Sequence, residues 1–491
     1  MRIAVAGGGP GGLFFATLIR RADPSIEVTV FERNRADDTF GFGVVFSDRA
    51  LAGIHEADPV LREALTEHGR HWDAIEVRLK GERIRCGGNG MAAIVRRTLL
   101  GLLQERAREL GADLRFSAEV TLADLAGYDL VVAADGTGSQ IRTALEPAFG
   151  STVDTATAKF IWFGTDYLFD GLTFVHERGP HGVFAVHGYP ISPDVSTFIV
   201  ETDEPSWRAA GLDEFDVTQP PGPSDEKTRG YLEELFADRI DGHKLLVNNS
   251  RWGNFRTRRT ARWTTLAPRP VALLGDAAHT AHFSVGSGTK MAMEDAIALA
   301  RAVTAHPGDV PAALAAYEAA ARPSVDAIQG SARPSLAWWE HFGRYHDAFE
   351  PWQFAYHFLS RSITDARLAR RDPGFVAATH RAWVERHGAE PLDTPLTATF
   401  PGRLLPEVPA GAVLVEAPAD ESGLPAARAR IREVVDGGAE LIAVHGGAGF
   451  TRTLVCEEIR LVHSRTAILV DGEADAVTMV LSGRTDAVAA R

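Results

Sequence analysis

The N-terminal stretch constrains this chain most. Residues Arg2 to Ala6 form a short, mostly apolar run, and Gly7-x-Gly9-x-x-Gly12 follows at once. A helical pattern covers Leu13 to Arg20. A second apolar run, Glu27 to Phe31, ends at Glu32. Strand, Gly-rich turn, helix, strand and acid, in that order, form the fingerprint of a dinucleotide-binding βαβ unit. The first glycine permits the tight turn. The second lets backbone approach a pyrophosphate, and the third lets helix pack closely on strand. Glu32 is then placed to take ribose hydroxyls. A secretion signal is the poorer reading of this start, because Gly7 to Gly12 interrupts the apolar run and Arg20-Arg21 follows.

Two further Gly motifs follow strand-like runs. Asp129 to Ala134 reads as a buried strand ending at Asp135-Gly136, with a helix from about Gly138 to Arg142. Plain turn chemistry would also explain an Asp-Gly pair. Val271 to Leu274 precedes Gly275-Asp276, and Gly286-x-Gly288 opens a helix from about Lys290 to Val303. The N–H groups at such a helix start favour an anion or a polar ligand edge. Residues 40–47 are Gly-rich and apolar, which fits either a ligand-facing loop or a bulged strand. Arg96 to Leu110 reads as an amphipathic helix with Leu99, Leu100, Leu103 and Ala107 on its apolar face. Leu114 to Phe116 and Glu119-Val120 read as short strands.

From Phe160 to Val200 the pattern changes to alternating, aromatic-rich runs separated by turns, an antiparallel sheet inserted between α/β halves. His187 and Tyr189 fall on one face of it. Tyr231 to Ile240 reads as a helix, as do Val310 to Tyr317, Trp338 to Tyr345 and Trp352 to Phe358; Asp372-Pro373 breaks the run. Pro391 to Pro409 reads as a linker, followed by a small α/β appendix. The fold class is therefore α/β. Residues 1–155 form a Rossmann-like unit, 156–260 an inserted antiparallel sheet and 261–390 the unit's continuation plus helices. Residues 391–410 are the linker and 411–491 the appendix.

The 491 residues carry a net charge of −14, which disfavours nucleic acid and anionic membrane as partners. Two distant cysteines, Cys86 and Cys456, lack metal-type spacing and point to a reducing, cytoplasmic compartment. No apolar run approaches the roughly 20 residues that span a bilayer.

Taken together, Gly7-x-Gly9-x-x-Gly12 with Glu32, Asp135-Gly136 and Gly275-Asp276 resemble the class A flavoprotein aromatic hydroxylases, the p-hydroxybenzoate hydroxylase superfamily, over Met1 to about Glu390. The resemblance implies FAD as cofactor, NADH or NADPH as transient co-substrate, and O2. It implies hydroxylation of an activated aromatic ring through a flavin C4a-hydroperoxide. It places Gly7, Gly9, Pro10 and Gly12 at the FAD pyrophosphate and Glu32 with Arg33 at the adenosine ribose. Arg96 and Asp276 fall at pyrophosphate or ribityl oxygens. Asp135 and Gly136 fall where FAD and reduced nicotinamide meet. Gly43, Val44 and Val120, and Gly286, Gly288 and Thr289, complete the implied cofactor contacts.

His279-Thr-Ala-His282-Phe283-Ser284, with Phe283 and Lys290 where many members of the family carry Pro and Asn, resembles the aryl-coenzyme A branch. That implies an aryl-CoA thioester as substrate, most specifically salicylyl-CoA going to gentisyl-CoA. A tryptophan, indole or free phenolic acid hydroxylase is the alternative, and a non-oxygenating FAD oxidoreductase is one of another class. Candidate bases or hydrogen-bond partners for the ring substituent are His282, His187 and Tyr189. A packed residue with a satisfied polar tip looks the same in sequence. Phe283, Ser284, Phe174 and Trp162 are expected to line the substrate, and no metal is expected. Leu441 to Gly447 and Leu481 to Ala487 resemble the last βα units of an old-yellow-enzyme barrel. Too few residues remain for a whole barrel of about 200, so the appendix is expected to be a truncated remnant without FMN, structural or dimer-forming.

Overall fold

The computed structural model describes residues 1–39, 41–218, 222–285 and 288–490. The chain divides into two compact units, Met1–Ala74 with Asn89–Glu340, and Ile75–Gly88 with His341–Arg491. Among the described residues no helix is long and apolar enough to cross a membrane.

In the first unit a six-stranded sheet runs in the order Thr264–Thr265, Val271–Leu273, Leu130–Ala133, Arg2–Ala6, Glu27–Glu32, Asp113–Phe116. Its neighbours are parallel except for the edge pair Thr264–Thr265 and Val271–Leu273. Ile3 to Ala6 and Leu130 to Ala133 are buried on both faces, which is why they read as unbroken apolar runs. Glu119-Val120, expected as a strand, is a loop whose Val120 side chain packs on this core.

The inserted sheet pairs Ser151–Thr165 with Ser196–Thr202, then Gly182–Pro190, then Leu172–Gly179; Leu245–Leu246 and Gly253–Thr260 also pair with Ser151–Thr165. The two-residue period sorts its faces. Ile161, Phe163, Val186, Phe198 and Val200 bury against Leu232 and Phe236. Trp162, His187, Tyr189, Ile199 and Glu201 point the other way. The helix behind the sheet begins at Glu226 rather than near Tyr231, because Asp225 caps it by accepting from Thr228 N at 2.9 Å. Gly43–Ser47 is a strand, paired with Met91–Val95, which also pairs with Arg70–Trp72; Phe40 lies outside the described residues. The segments expected as separate helices near Val310 and Trp338 form one helix, Val310–Ala348, that continues through Pro323 and Pro334.

The second unit holds the hairpin Ile75–Leu79/Glu82–Cys86, three helices between Pro351 and His387, and a five-stranded parallel sheet. That sheet runs Leu404–Leu405, Ala487–Ala489, Thr466–Val470, Leu441–His445, Val413–Glu416. Helices Leu424–Asp436, Gly449–Leu461 and Ala476–Leu481 alternate with its strands. The stretch expected as a linker is built into this unit. Leu396 and Phe400 pack on the Leu405 cluster, and Trp383 Nε1 donates to Thr394 Oγ1 at 2.9 Å.

Glu457 is buried in this second unit and meets four partners. Tyr345 Oη donates to it, His357 Nε2 lies 3.3 Å away, Arg484 Nε 3.7 Å and Arg344 Nη2 3.8 Å. Burial alone would raise the Glu457 carboxyl, but His357 and the two guanidiniums hold it down at about 2. Burial and Arg484 push His357 down to about 4, against the pull of Glu457. Above pH 6.5 His357 is neutral whether folded or not. As pH falls from 6.5 towards 4 the unfolded chain takes up the proton first, so the fold loses stability. Below 4.5, Glu457 protonates first in the unfolded chain and adds to the loss. The expected acid destabilisation from His357 alone is on the order of 3 kcal/mol between pH 7 and 4. Urea unfolding of the wild type and His357→Gln at both pH values checks it, the variant losing less on acidification.

Candidate active site

The fingerprint turn has the geometry its glycines require. Gly7 sits at φ +110°, where a Cβ would lie 2.2 Å from Ala134 O; at Gly12 a Cβ would lie 2.2 Å from Gly7 O. At Gly9 a Cβ would meet nothing within 4 Å, so this glycine faces open space. Pro10 opens the helix Pro10–Ala22, and no side chain caps its N-terminus. The first-turn N–H groups of this helix are therefore left without a side-chain cap beside Gly9, the arrangement a pyrophosphate uses. Glu32 is fixed by Gly8 N at 2.8 Å on one oxygen and Asn34 N at 2.8 Å on the other. Its remaining lone pairs are available to ribose hydroxyls. Arg33 next to it is exposed.

Arg96 begins the helix that leaves Met91–Val95. Burial lowers its pKa, while Tyr189 and Asp276 act to raise it. Burial raises the Asp276 carboxyl, opposed by His279 and Arg96. Arg96 thus joins the Gly-Asp loop electrostatically to the inserted sheet. Among the described residues its buried Nε has no hydrogen-bond partner, and neither has Asp135 Oδ1. At Gly136, φ +78°, and at Gly288 a Cβ would meet nothing within 4 Å among the described residues. These orphaned atoms and open glycines fit FAD. Thr289 is half-buried at the start of helix Gly288–Ala305; Gly286 lies outside the described residues. Lys290 pairs with Glu294 at 2.7 Å. Two further expected cofactor contacts turn their side-chain positions into the protein. A Cβ at Gly43 would strike Ile191 Cγ2 at 2.3 Å, so that glycine serves packing against the inserted sheet. The side chain of Val44 is in the core.

Asp295, absent from the sequence-level candidates, ties the loop down. Its Oδ2 accepts from Gly275 N at 2.9 Å and His279 Nε2 at 2.8 Å, with all three residues buried. His279 is thereby a structural residue. Asp295→Ala is expected to weaken FAD binding about tenfold or more, the cost of leaving a buried N–H and imidazole unpaired. Equilibrium dialysis of FAD checks it.

The side expected to face the substrate is aromatic. Phe283 is half-buried, with ring centroids 5.0 Å from Phe160, 6.1 Å from Trp162 and 5.5 Å from His187. Tyr189 stands apart from the two histidines, stacked on Trp72 at 6.0 Å. Burial pushes its phenol up to about 12, so it stays protonated and can donate. Phe174, expected to line the substrate, is buried behind His187 at 4.9 Å and packs on Trp339.

His187 and His282 meet across a carboxylate that the sequence reading missed. Glu201 Oε1 lies 2.8 Å from His187 Nε2, and Oε2 lies 3.6 Å from His282 Nε2. His282 Nδ1 is 2.7 Å from Ser284 Oγ, which is 2.8 Å from Ser335 Oγ. The histidines, Glu201 and Ser335 are at most 3% exposed, whereas Ser284 is partly open.

A family model described as FAD binding domain matches residues 1–331. The chain is 56% identical to a salicyloyl-CoA 5-hydroxylase from a Streptomyces species, with 99% of each chain covered. It is 38% identical to the 3-hydroxy-4-methyl-anthranilyl aryl-carrier protein 5-monooxygenase of Streptosporangium sibiricum, over 69% of this chain and 89% of that one. The solved structure of 2-methyl-3-hydroxypyridine-5-carboxylic acid oxygenase shares the fold, with a TM-score of 0.56 at 21% identity, over 74% of this chain and 98% of the other. With its FAD-fitting turn, its Gly-Asp loop and an aromatic wall beside them, the chain belongs to the FAD-dependent aromatic hydroxylases.

Proposed function

We propose that this hydroxylase acts on an aryl-CoA thioester, converting salicylyl-CoA to gentisyl-CoA with NADH or NADPH and O2, in the cytoplasm. The observation that carries the reading is 56% identity spread over 99% of both chains, C-terminal unit included. The second relative supports a tethered aromatic acid: by their names, one enzyme's substrate is carried on coenzyme A and the other's on a carrier protein.

When bound, FAD supplies the redox chemistry, taking electrons from NAD(P)H and activating O2. The residues of this chain bind and orient. The turn Gly7 to Gly12 and the start of its helix hold the pyrophosphate, and Glu32 the adenosine ribose. Arg96, with its free Nε, and Asp276 hold the ribityl side. Phe283 and Trp162 hold the aromatic ring and keep water from it. Tyr189 donates a hydrogen bond from a phenol that does not ionise near neutral pH.

The test is a substrate panel on the purified yellow protein. Salicylyl-CoA is expected to stimulate NADH or NADPH oxidation at least about tenfold, with free salicylate and tryptophan close to the unstimulated rate. Stimulation by free salicylate or tryptophan, with none by salicylyl-CoA, sinks the aryl-CoA reading.

A further inference from the structure

We propose that Glu201 is a positioning residue for a proton relay through Ser284 and His282 that takes the proton from the phenolic hydroxyl of the substrate, with Ser335 and His187 flanking it. The proposal rests on the reading of a phenol-bearing aromatic substrate. His187 and Glu201 sit diagonally on neighbouring strands, since His187 pairs with Ile199 and Glu201 with Ala185. One face of the sheet therefore presents both side chains together. The other imidazole arrives from the loop after Gly275-Asp276, far along the chain.

The hydrogen bonds assign the tautomer of His282. Ser284 N donates to its Nδ1 at 3.3 Å, so Nδ1 is an acceptor and the ring proton sits on Nε2, facing Glu201. Ser284 Oγ–H then also points to Nδ1, at 2.7 Å. Both histidines are closed off, 3% and 2% exposed, so neither meets a substrate hydroxyl directly. Ser284 is the partly open member of the set, next to Phe283 in the aromatic wall.

The step balances on these atoms. The O–H bond of the substrate breaks and its proton passes to Ser284 Oγ. Ser284 gives its own proton to His282 Nδ1, where an N–H bond forms. The resulting imidazolium faces the Glu201 carboxylate, whose other oxygen lies 2.8 Å from His187 Nε2. The phenolate left behind is the more nucleophilic ring. A buried imidazolium without a carboxylate would be strongly disfavoured, which gives Glu201 its role.

The experiment uses the oxidised holoenzyme without reductant. Salicylyl-CoA labelled with carbon-13 at the hydroxyl-bearing ring carbon reports phenol or phenolate by its chemical shift. The wild type is expected to bind it with a measurable phenolate fraction at neutral pH. Glu201→Gln should lower the phenolate-to-phenol ratio at least about tenfold, with Kd within about threefold and FAD content unchanged; Glu201→Asp should restore part of the ratio. Ser284→Ala, in a partly open loop, should lower the ratio likewise and serves if Glu201→Gln does not fold. An unchanged ratio in these variants, or a fully neutral phenol in the wild type, overturns the relay. If the wild type binds labelled free salicylate but not salicylyl-CoA, the aryl-CoA reading fails, and the same ratio measured on salicylate decides the relay.

Discussion

Gly12→Ala is expected to purify as a colourless protein, and Gly9→Ala as a stable protein that binds FAD weakly. The contrast follows from where each new methyl group would go. At Gly12 it would lie 2.2 Å from Gly7 O and 3.0 Å from Val5 Cγ1, both fixed backbone or core atoms. The helix Pro10–Ala22 must then move off the first strand, which both loosens the core by about 1–3 kcal/mol and takes the helix start away from the turn. At Gly9 the methyl meets no atom of the described residues within 4 Å beyond its chain neighbours, and the residue's φ of −76° suits alanine. Folding is therefore unaffected, while the methyl occupies the space beside the uncapped helix start. A loss of about 10- to 100-fold in FAD affinity is expected there, about 1.4–2.7 kcal/mol. Flavin absorbance per protein, with thermal unfolding of each apoprotein, separates the two effects. Equal stability of both variants would contradict this account of the turn.

Glu457→Ala is expected to be the most destabilising single change in the second unit, by about 3–5 kcal/mol. Removing the carboxylate leaves the Arg344 and Arg484 guanidiniums buried together without their shared counter-charge, and takes from Tyr345 and His357 the oxygens they face. Arg484 keeps its bonds to Ser360 Oγ at 3.0 Å and His357 O at 2.7 Å, and Arg344 keeps Glu458 at 3.0 Å; neither replaces the central charge. The comparison is Glu433→Ala, which removes a pair with Arg430 whose side chains are 58% and 68% exposed. That change is expected to cost less than about 1 kcal/mol. Limited proteolysis followed by mass spectrometry checks both, with early cuts beyond His341 in Glu457→Ala only.

The cofactor elements were legible because their signals are local. Gly7, Gly9, Gly12 and Glu32 are tied by a turn and one βα unit, and sequence spacing alone fixes such a unit. The inserted sheet was legible from its alternation. Glu201 was not, because every residue of Ser196–Thr202 is buried on one face or the other. The run Thr197 to Val200 reads as apolar strand and gives no reason to ask what the next carboxylate meets. The available signal was the carboxylate itself, one step past a buried run and in phase with Ile199. Asp295 was hidden similarly in an ordinary helix pattern. Pro323 and Pro334 argued for breaks in a helix that the structure carries through, each removing one backbone bond while the helix continues. The stretch 391–410 looked like a linker by proline content, although Leu396, Phe400 and Thr394 are held by tertiary contacts.

The most direct test of the central claim is turnover of salicylyl-CoA by the holoenzyme under oxygen-18 gas. One labelled oxygen atom is expected in the ring of a gentisyl-CoA product, with close to one NAD(P)H oxidised per product formed. Oxidation of NAD(P)H with all of the label recovered as hydrogen peroxide, and unchanged salicylyl-CoA, would contradict it.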